Sequence, residues 1–282
     1  MSGYAQPTSL DEAVSLLAGG GWTVLAGGTD VYPALGEDPV TQPLLDVSRI
    51  DALRGIHLTP DGAIRIGALA TWTDIVRADL PAAFDALKQA AREVGSVQIQ
   101  NRATLAGNLC NASPAADGMP PLLVLDALVE LNRANGKRLV PLKDFIQGNR
   151  QTVRADTELV TAIHIPASAL DGQSAFFKLG SRRYLVISIA MIAARLAVDE
   201  NGLVTDAAEA VGACSAVAQR LPKLEAALKG QPAEAAARIA TPEHLDVLSP
   251  IDDVRAPAAY RLDAALEGVR RVLAAAAGGR LA

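Results

Sequence analysis

The chain has 282 residues, half of them apolar, with 26 basic and 31 acidic side chains and a formal net charge of −5. That supplies the core of one large domain or two to three small ones, and the scattered Lys and Arg argue against a nucleic-acid partner. Two cysteines, Cys110 and Cys214, and three histidines, His57, His164 and His244, lie far apart, so no iron–sulfur or zinc ligand set and no Cys–His nucleophile pair is evident.

The opening residues MSGYAQPTSLDEAV lack a basic stretch followed by an apolar segment, and the longest apolar run, residues 185–194, is much shorter than a membrane span. A cytoplasmic chain that does not cross a bilayer is expected.

In chain order, SLDEAVSLLAGG predicts a helix, with Ser9 or Asp11 as cap and Gly19 as stop. TVLAG, PLLDVS and AIRIGALA predict strands. PAAFDALKQAAREV places Phe84, Leu87, Ala91 and Val94 on one helical stripe. Residues 96–117, rich in Asn, Ser, Gly and Pro, predict a long irregular segment of the kind that usually carries function. Asn135-Gly136 between two apolar runs predicts a hairpin, and ELVTAIHIP and SAFFKLG predict further strands. From about residue 185 the pattern becomes a strand, an Asn201-Gly202 turn and Ala-rich helices, as in a smaller second domain. The last helix carries Leu262, Leu266, Val269 and Leu273 at helical spacing, the stripe expected to face the core.

Two glycine-bearing turns stand out: Ala26-Gly27-Gly28-Thr29-Asp30 after a strand, and Thr104-Leu105-Ala106-Gly107-Asn108 in the long segment. Glycine permits positive φ and lets backbone N–H groups approach an anion with no Cβ in the way, although a pair of tight turns would read the same. Neither turn is a G-x-G-x-x-G, and no G-x-x-x-x-G-K-[ST] occurs, so the nicotinamide fingerprint and the P-loop are both missing.

TVLAGGTDVYPAL (residues 23–35), QIQNRATLAGNLCNASPAADGMPPLLVLDA (98–127), FFKLGSRRYLVISIAMIAARL (176–196) and DVRAPAAYRLDAALEGVRRVL (253–273) together resemble the FAD-binding subunit of the molybdenum hydroxylases, the xanthine dehydrogenase and carbon monoxide dehydrogenase type. The resemblance implies an α+β fold of the vanillyl-alcohol-oxidase (PCMH) type. An FAD-binding domain at 1–174, with subdomains of about 1–55 and 56–174, would precede a C-terminal flavoprotein domain at 175–282, a short antiparallel sheet plus helices.

By the same resemblance, Val24, Leu25, Ala26, Gly27, Gly28, Thr29 and Asp30 would wrap the FAD pyrophosphate, and Thr104, Gly107 and Asn108 would close from the other side. Cys110 and Ser113 share the second segment, and Asp117 matches a position that hydrogen-bonds the cofactor. Val160 and Lys178 match positions beside the flavin, where a cation would favour the reduced ring, and Tyr184 would shield it. Taken singly, Asp117 reads equally as a helix cap, Lys178 as a solvated strand residue and Val160 as core. No His or Cys sits in the first glycine turn, so noncovalent FAD is expected, and the extra cysteines of the aryl-CoA reductase subset are absent. The implied partners are a large molybdopterin-binding subunit and a small 2Fe-2S subunit, assembled as a dimer of heterotrimers. FAD would pass electrons from the partner's clusters to an external acceptor. The alternative is a self-sufficient FAD-dependent oxidase or reductase of the same superfold.

Overall fold

The computed structural model describes residues 3–37 and 40–279. Its first layer holds strand β1 (Tyr4–Ala5), helix α1 (Leu10–Leu17), strand β2 (Thr23–Leu25), helix α2 (Val31–Leu35) and strand β3 (Leu44–Asp46). Ser9 caps α1 by accepting from the Glu12 N–H at 3.2 Å. The three strands run parallel in the order β1-β3-β2, and Ala13, Val14 and Leu17 of α1 pack with Leu45, Val47, Ile50 and Leu53.

The second layer begins with β4 (Ile56–Leu58) and β5 (Ile64–Gly67), followed by five helices: α3 (Trp72–Arg77), α4 (Asp85–Glu93), α5 (Val97–Gln100), α6 (Leu105–Asn111) and α7 (Met119–Val124). It closes with β6 (Leu128–Arg133), β7 (Gly136–Pro141), α8 (Leu142–Phe145), β8 (Ile146–Gly148), β9 (Gln151–Thr152) and β10 (Leu159–Ile165). The main sheet is antiparallel, ordered β4-β5-β10-β6-β7. Phe84, Leu87 and Ala91 are fully buried in the main core, as their spacing predicts. The segment 96–117, expected to be irregular throughout, carries α5 and α6, with residues 101–104 and 112–117 remaining outside helices. Ser96 and Thr104 supply the reason, each accepting from an N–H of the first turn, Ile99 at 3.5 Å and Gly107 at 3.0 Å. The hairpin turn also shifts by one residue: Arg133 faces Gly136, so Ala134-Asn135 turn and Gly136 opens β7 at φ +125°.

The third layer comprises β11 (Gln173–Leu179), β12 (Ala190–Val198), β13 (Val204–Gly212), β14 (Gln219–Arg220), α9 (Pro222–Leu228), α10 (Ala236–Ile239) and α11 (Ala258–Ala276). Its antiparallel sheet, ordered β11-β12-β13-β14, is covered on both sides. Phe176, Met191, Ala193, Ala208 and Ala210 join the main core, while Ala175, Ile192, Ala194, Ala207 and Val211 meet α9 and α11. Strands apolar on both faces follow from this double cover.

The buried face of α11 is Arg261, Ala265, Gly268, Val269, Val272, Leu273 and Ala276, with Leu262 and Leu266 only partly buried. Val269 and Leu273 of the expected stripe are thus fully buried and Leu262 and Leu266 pack at its edge, while the face widens toward Arg261, Ala265, Gly268, Val272 and Ala276. Small residues cause it: a Cβ on Gly268 would lie 2.5 Å from Ile192 Cδ1, so the helix seats its Ala/Gly side where the sheet approaches closest.

Two arginines tie the third layer to the second. Arg195, 1 % exposed, donates to Val124 O at 2.9 Å, to Asp171 O at 3.2 Å and to Asp206 at 2.8 Å. Arg220 donates to Leu123 O at 2.9 Å and Asp126 at 2.8 Å, and also grips Glu225. Beside Glu225 lies Glu209, fully buried, with neither carboxyl oxygen hydrogen-bonded among the described residues. Burial, then the neighbouring Glu225 carboxylate, push the Glu209 carboxyl well above its ordinary value of 4.5.

A raised carboxyl holds a proton in the native state that the unfolded chain has already released, so stability falls as pH rises from 4.5 toward the folded value. The slope for one such proton is about 1.4 kcal/mol per pH unit. Denaturant titrations at several pH values should therefore show Glu209→Gln flattening this decline by one proton. An unchanged slope would mean that Glu209 is ionised in the folded chain.

Candidate functional site

The turn from β2 into α2 and the start of α6 lie against one another. An ideal Cβ on Gly27 would sit 2.1 Å from Arg102 O and 3.1 Å from Ala103 Cα, a clash with backbone that no side-chain rotation relieves. Only glycine admits this contact, which brings Ala26-Gly27-Gly28-Thr29-Asp30 beside Thr104. Gly28 follows at φ +76°, with the Tyr32 ring over it. Asp30 Oδ1 accepts from Asn111 Nδ2 at 2.9 Å, and Asn111 Oδ1 accepts from Arg150 at 2.6 Å, so a side-chain bridge spans from the turn to the end of α6 and on to the β8–β9 connection.

The turn carries a donor set of one kind. The N–H groups of Gly27, Gly28, Thr29 and Asp30 donate to no acceptor among the described residues, while Ala26 to Thr29 are half-buried. Unpaired, partly desolvated N–H groups in one turn form a concavity that suits an anion with several oxygens. Across from them Thr104 caps α6, leaving the Ala106 N–H of the first turn also without a partner among the described residues. The residues present therefore fit the pyrophosphate of a dinucleotide.

Other sequence-singled residues fall into three groups. Val24 and Leu25 form the strand under the turn, Leu25 being buried. Asn108 accepts from the Gly118 N–H at 3.3 Å and Ser113 from the Ala115 N–H at 3.3 Å, so both side chains shape the segment after α6. Gly107 serves that helix too: its Cβ would lie 2.8 Å from Thr104 Oγ1, the capping atom. Cys110 is exposed on α6. Val160 is buried in the main core at the bulge of β10, and Tyr184 sits exposed on the loop between β11 and β12, under the Arg183 guanidinium at 5.2 Å.

Asp117 and Lys178, in contrast, meet. Lys178 Nζ donates to Asp117 Oδ2 at 2.7 Å, and Ser188 Oγ donates to Oδ1 at 2.8 Å. Both members of the ion pair are buried, with side chains 7 % and 10 % exposed. Burial pushes the Asp117 carboxyl up, against the pull of the Lys178 ammonium and the Ser188 hydroxyl. Asp117 does not cap α7, whose N-cap is Gly118, and Lys178 is not a solvated strand residue. Asn111, Arg150 and Ser188 carry no motif that sequence reading could have used; their partners are 81, 39 and 71 residues away.

Residues 1–168 match the family described as FAD binding domain in molybdopterin dehydrogenase, and residues 175–276 match the CO dehydrogenase flavoprotein C-terminal domain. The chain is 31% identical to the xanthine dehydrogenase FAD-binding subunit of Escherichia coli O157:H7, covering 99% of this chain and 98% of that one. It is 33% identical to the nicotinate dehydrogenase FAD-subunit of Eubacterium barkeri, over 81% and 80% of the two chains. Among solved structures, a chain of reconstituted CO dehydrogenase from Oligotropha carboxidovorans superimposes with TM-score 0.88 at 27% identity, covering 99% of both. With a half-buried cradle of free N–H groups in the matched FAD-binding region, the chain belongs to the family of FAD-binding subunits of the molybdenum hydroxylases, and is an oxidoreductase subunit.

Proposed function

We propose that the chain is the electron-exit subunit of a heterotrimeric molybdenum hydroxylase, with residues 1–174 holding FAD and residues 175–282 bracing that domain. The observation that carries the reading is the set of free N–H groups at Gly27 to Asp30, pressed against the start of α6 by the Gly27–Arg102 contact. FAD held there would supply one- and two-electron transfer to a separate acceptor.

This chain's own residues have narrower tasks. The turn at 26–30 and the first turn of α6 bind the pyrophosphate. The Asp30–Asn111–Arg150 bridge holds the two in register. Asp117 and Lys178 present one buried charge pair toward the cofactor, and the Lys178 ammonium stabilises negative charge that builds on the flavin. Val160 supports the floor from within the core, and Tyr184 lies on the adjoining loop. The iron–sulfur clusters and molybdopterin belong to a small and a large partner subunit, in a dimer of heterotrimers. In support, two separated cysteines cannot ligate even one 2Fe-2S cluster, and the relatives include the alpha subunit of a 6-hydroxypseudooxynicotine dehydrogenase complex and the medium chain of a carbon monoxide dehydrogenase.

Purified protein is expected to carry one FAD per chain and to release all of it, as FAD, on acid precipitation. Gly27→Ala drives a methyl into the Arg102 carbonyl, an overpacking that costs about 1–3 kcal/mol, and should weaken FAD binding by at least tenfold. Gly107→Ala meets a single hydroxyl and should weaken it less. Equal affinities for wild type and both variants would move the pyrophosphate away from these turns.

The isolated chain should reduce an artificial dye with NADH at most. Reduction of the dye by N-heterocycles, aldehydes or carbon monoxide without partner subunits would instead establish the self-sufficient oxidase.

A further inference from the structure

The carboxyl group of Asp117 is gripped by two residues that bracket one loop. Lys178 lies in the last turnings of β11 and Ser188 just before β12, and the loop between them exposes Arg182, Arg183, Tyr184, Leu185 and Ile187. Leu185 is held at φ +51°, a left-handed conformation that a Leu adopts only under constraint. Asp117 comes from a separate stretch, and the next residue, Gly118, donates its N–H to Asn108 on α6. A continuous line of contacts thus runs from the helix at the glycine turns, through one carboxyl, to both feet of the loop.

Ser188 is 2 % exposed, and its hydroxyl donates to Asp117 Oδ1 at 2.8 Å. Lys178 has a second, longer contact to Glu93 O at 3.4 Å, so its ammonium has somewhere to go if the carboxylate turns away. Ser188 does not: among the described residues Asp117 is its one side-chain partner.

We propose that Ser188 is a positioning residue of the flavin site, which fixes the Asp117 carboxylate so that Lys178 stays directed along one line and the loop 180–187 stays closed at its base. The inference rests on the reading that FAD binds beside Asp117 and Lys178. A hydroxyl that donates to a buried carboxylate stabilises its ionised form, so deleting it makes the carboxyl easier to protonate and leaves the Lys178 ammonium without its counter-charge. The flavin then feels a fuller positive charge as pH falls, and its two-electron potential acquires a steeper pH dependence than in the wild type.

Ser188→Ala removes only the oxygen, and Ser188→Thr restores a hydroxyl. In FAD-free protein, Ser188→Ala should be nicked by trypsin after Arg182 or Arg183 several-fold faster than wild type, with Ser188→Thr close to wild type. In FAD-loaded protein, Ser188→Ala should bind FAD about tenfold more weakly, as for a lost hydrogen bond to a charged group, and its midpoint potential should fall more steeply from mildly acidic to mildly alkaline pH. Equal nicking of wild type and Ser188→Ala overturns the proposal, as does faster nicking with no change in FAD affinity or potential. Wild-type protein that binds no FAD sinks the underlying reading, and the proposal with it; the nicking arm, which needs no flavin, tells the two failures apart.

Discussion

The close approach of Gly27 to the Arg102 carbonyl is the constraint on which the site depends. Two segments far apart in the chain touch there through backbone, at a separation that would put a Cβ 2.1 Å from an oxygen. Among the described residues the N–H groups of Gly27, Gly28, Thr29 and Asp30 have no acceptor, and those of Gly27 to Thr29 sit in half-buried residues, where an unmet donor incurs a desolvation cost that a hydrogen-bonding ligand would relieve. The turn thus carries an unmet hydrogen-bonding requirement beside a neighbour outside it.

Buried charge does the comparable job at the junction with the third layer. Arg195 and Arg220 each donate to a carbonyl of α7 and to a carboxylate, so the sheet of the third layer is fastened to the helix that follows Asp117. Lys178 and Ser188, from that same sheet and its leading loop, complete the fastening at Asp117 itself. Arg195 and the Asp117–Lys178 pair are buried, so removing a partner there would leave a buried charge uncompensated, whereas the carboxylates of Asp126 and Asp206 are largely exposed.

Much of the local architecture was legible in the chain. Ser9 announces α1, the stripe of Phe84, Leu87 and Ala91 announces α4, and the first glycine turn is where the N–H groups without an acceptor among the described residues lie. What sequence reading assigned to the glycines themselves differs from what packing requires. Gly27 is glycine to admit Arg102, and Gly107 to leave room for the Thr104 cap, so both serve the fold that holds the cradle. The stripe of α11 does face the core, at Val269 and Leu273, but the helices within residues 96–117 were missed because caps at Ser96 and Thr104 outweigh the irregular composition. Asp117 and Lys178 were singled out by resemblance, yet their mutual ion pair spans 61 residues and has no local signature. Asn111, Arg150 and Ser188 acquire their roles wholly from tertiary neighbours.

Amide hydrogen exchange at the 26–30 turn tests the central claim most directly. In FAD-free protein the amides of Gly27, Gly28, Thr29 and Asp30 should exchange rapidly, since none is bonded within the protein among the described residues. On saturation with FAD they should become strongly protected, together with that of Ala106 at the start of α6, while the exposed loop residues Tyr184 and Leu185 change less. Saturating FAD that leaves the four amides exchanging at their free rates would contradict the account, whatever the affinity measured.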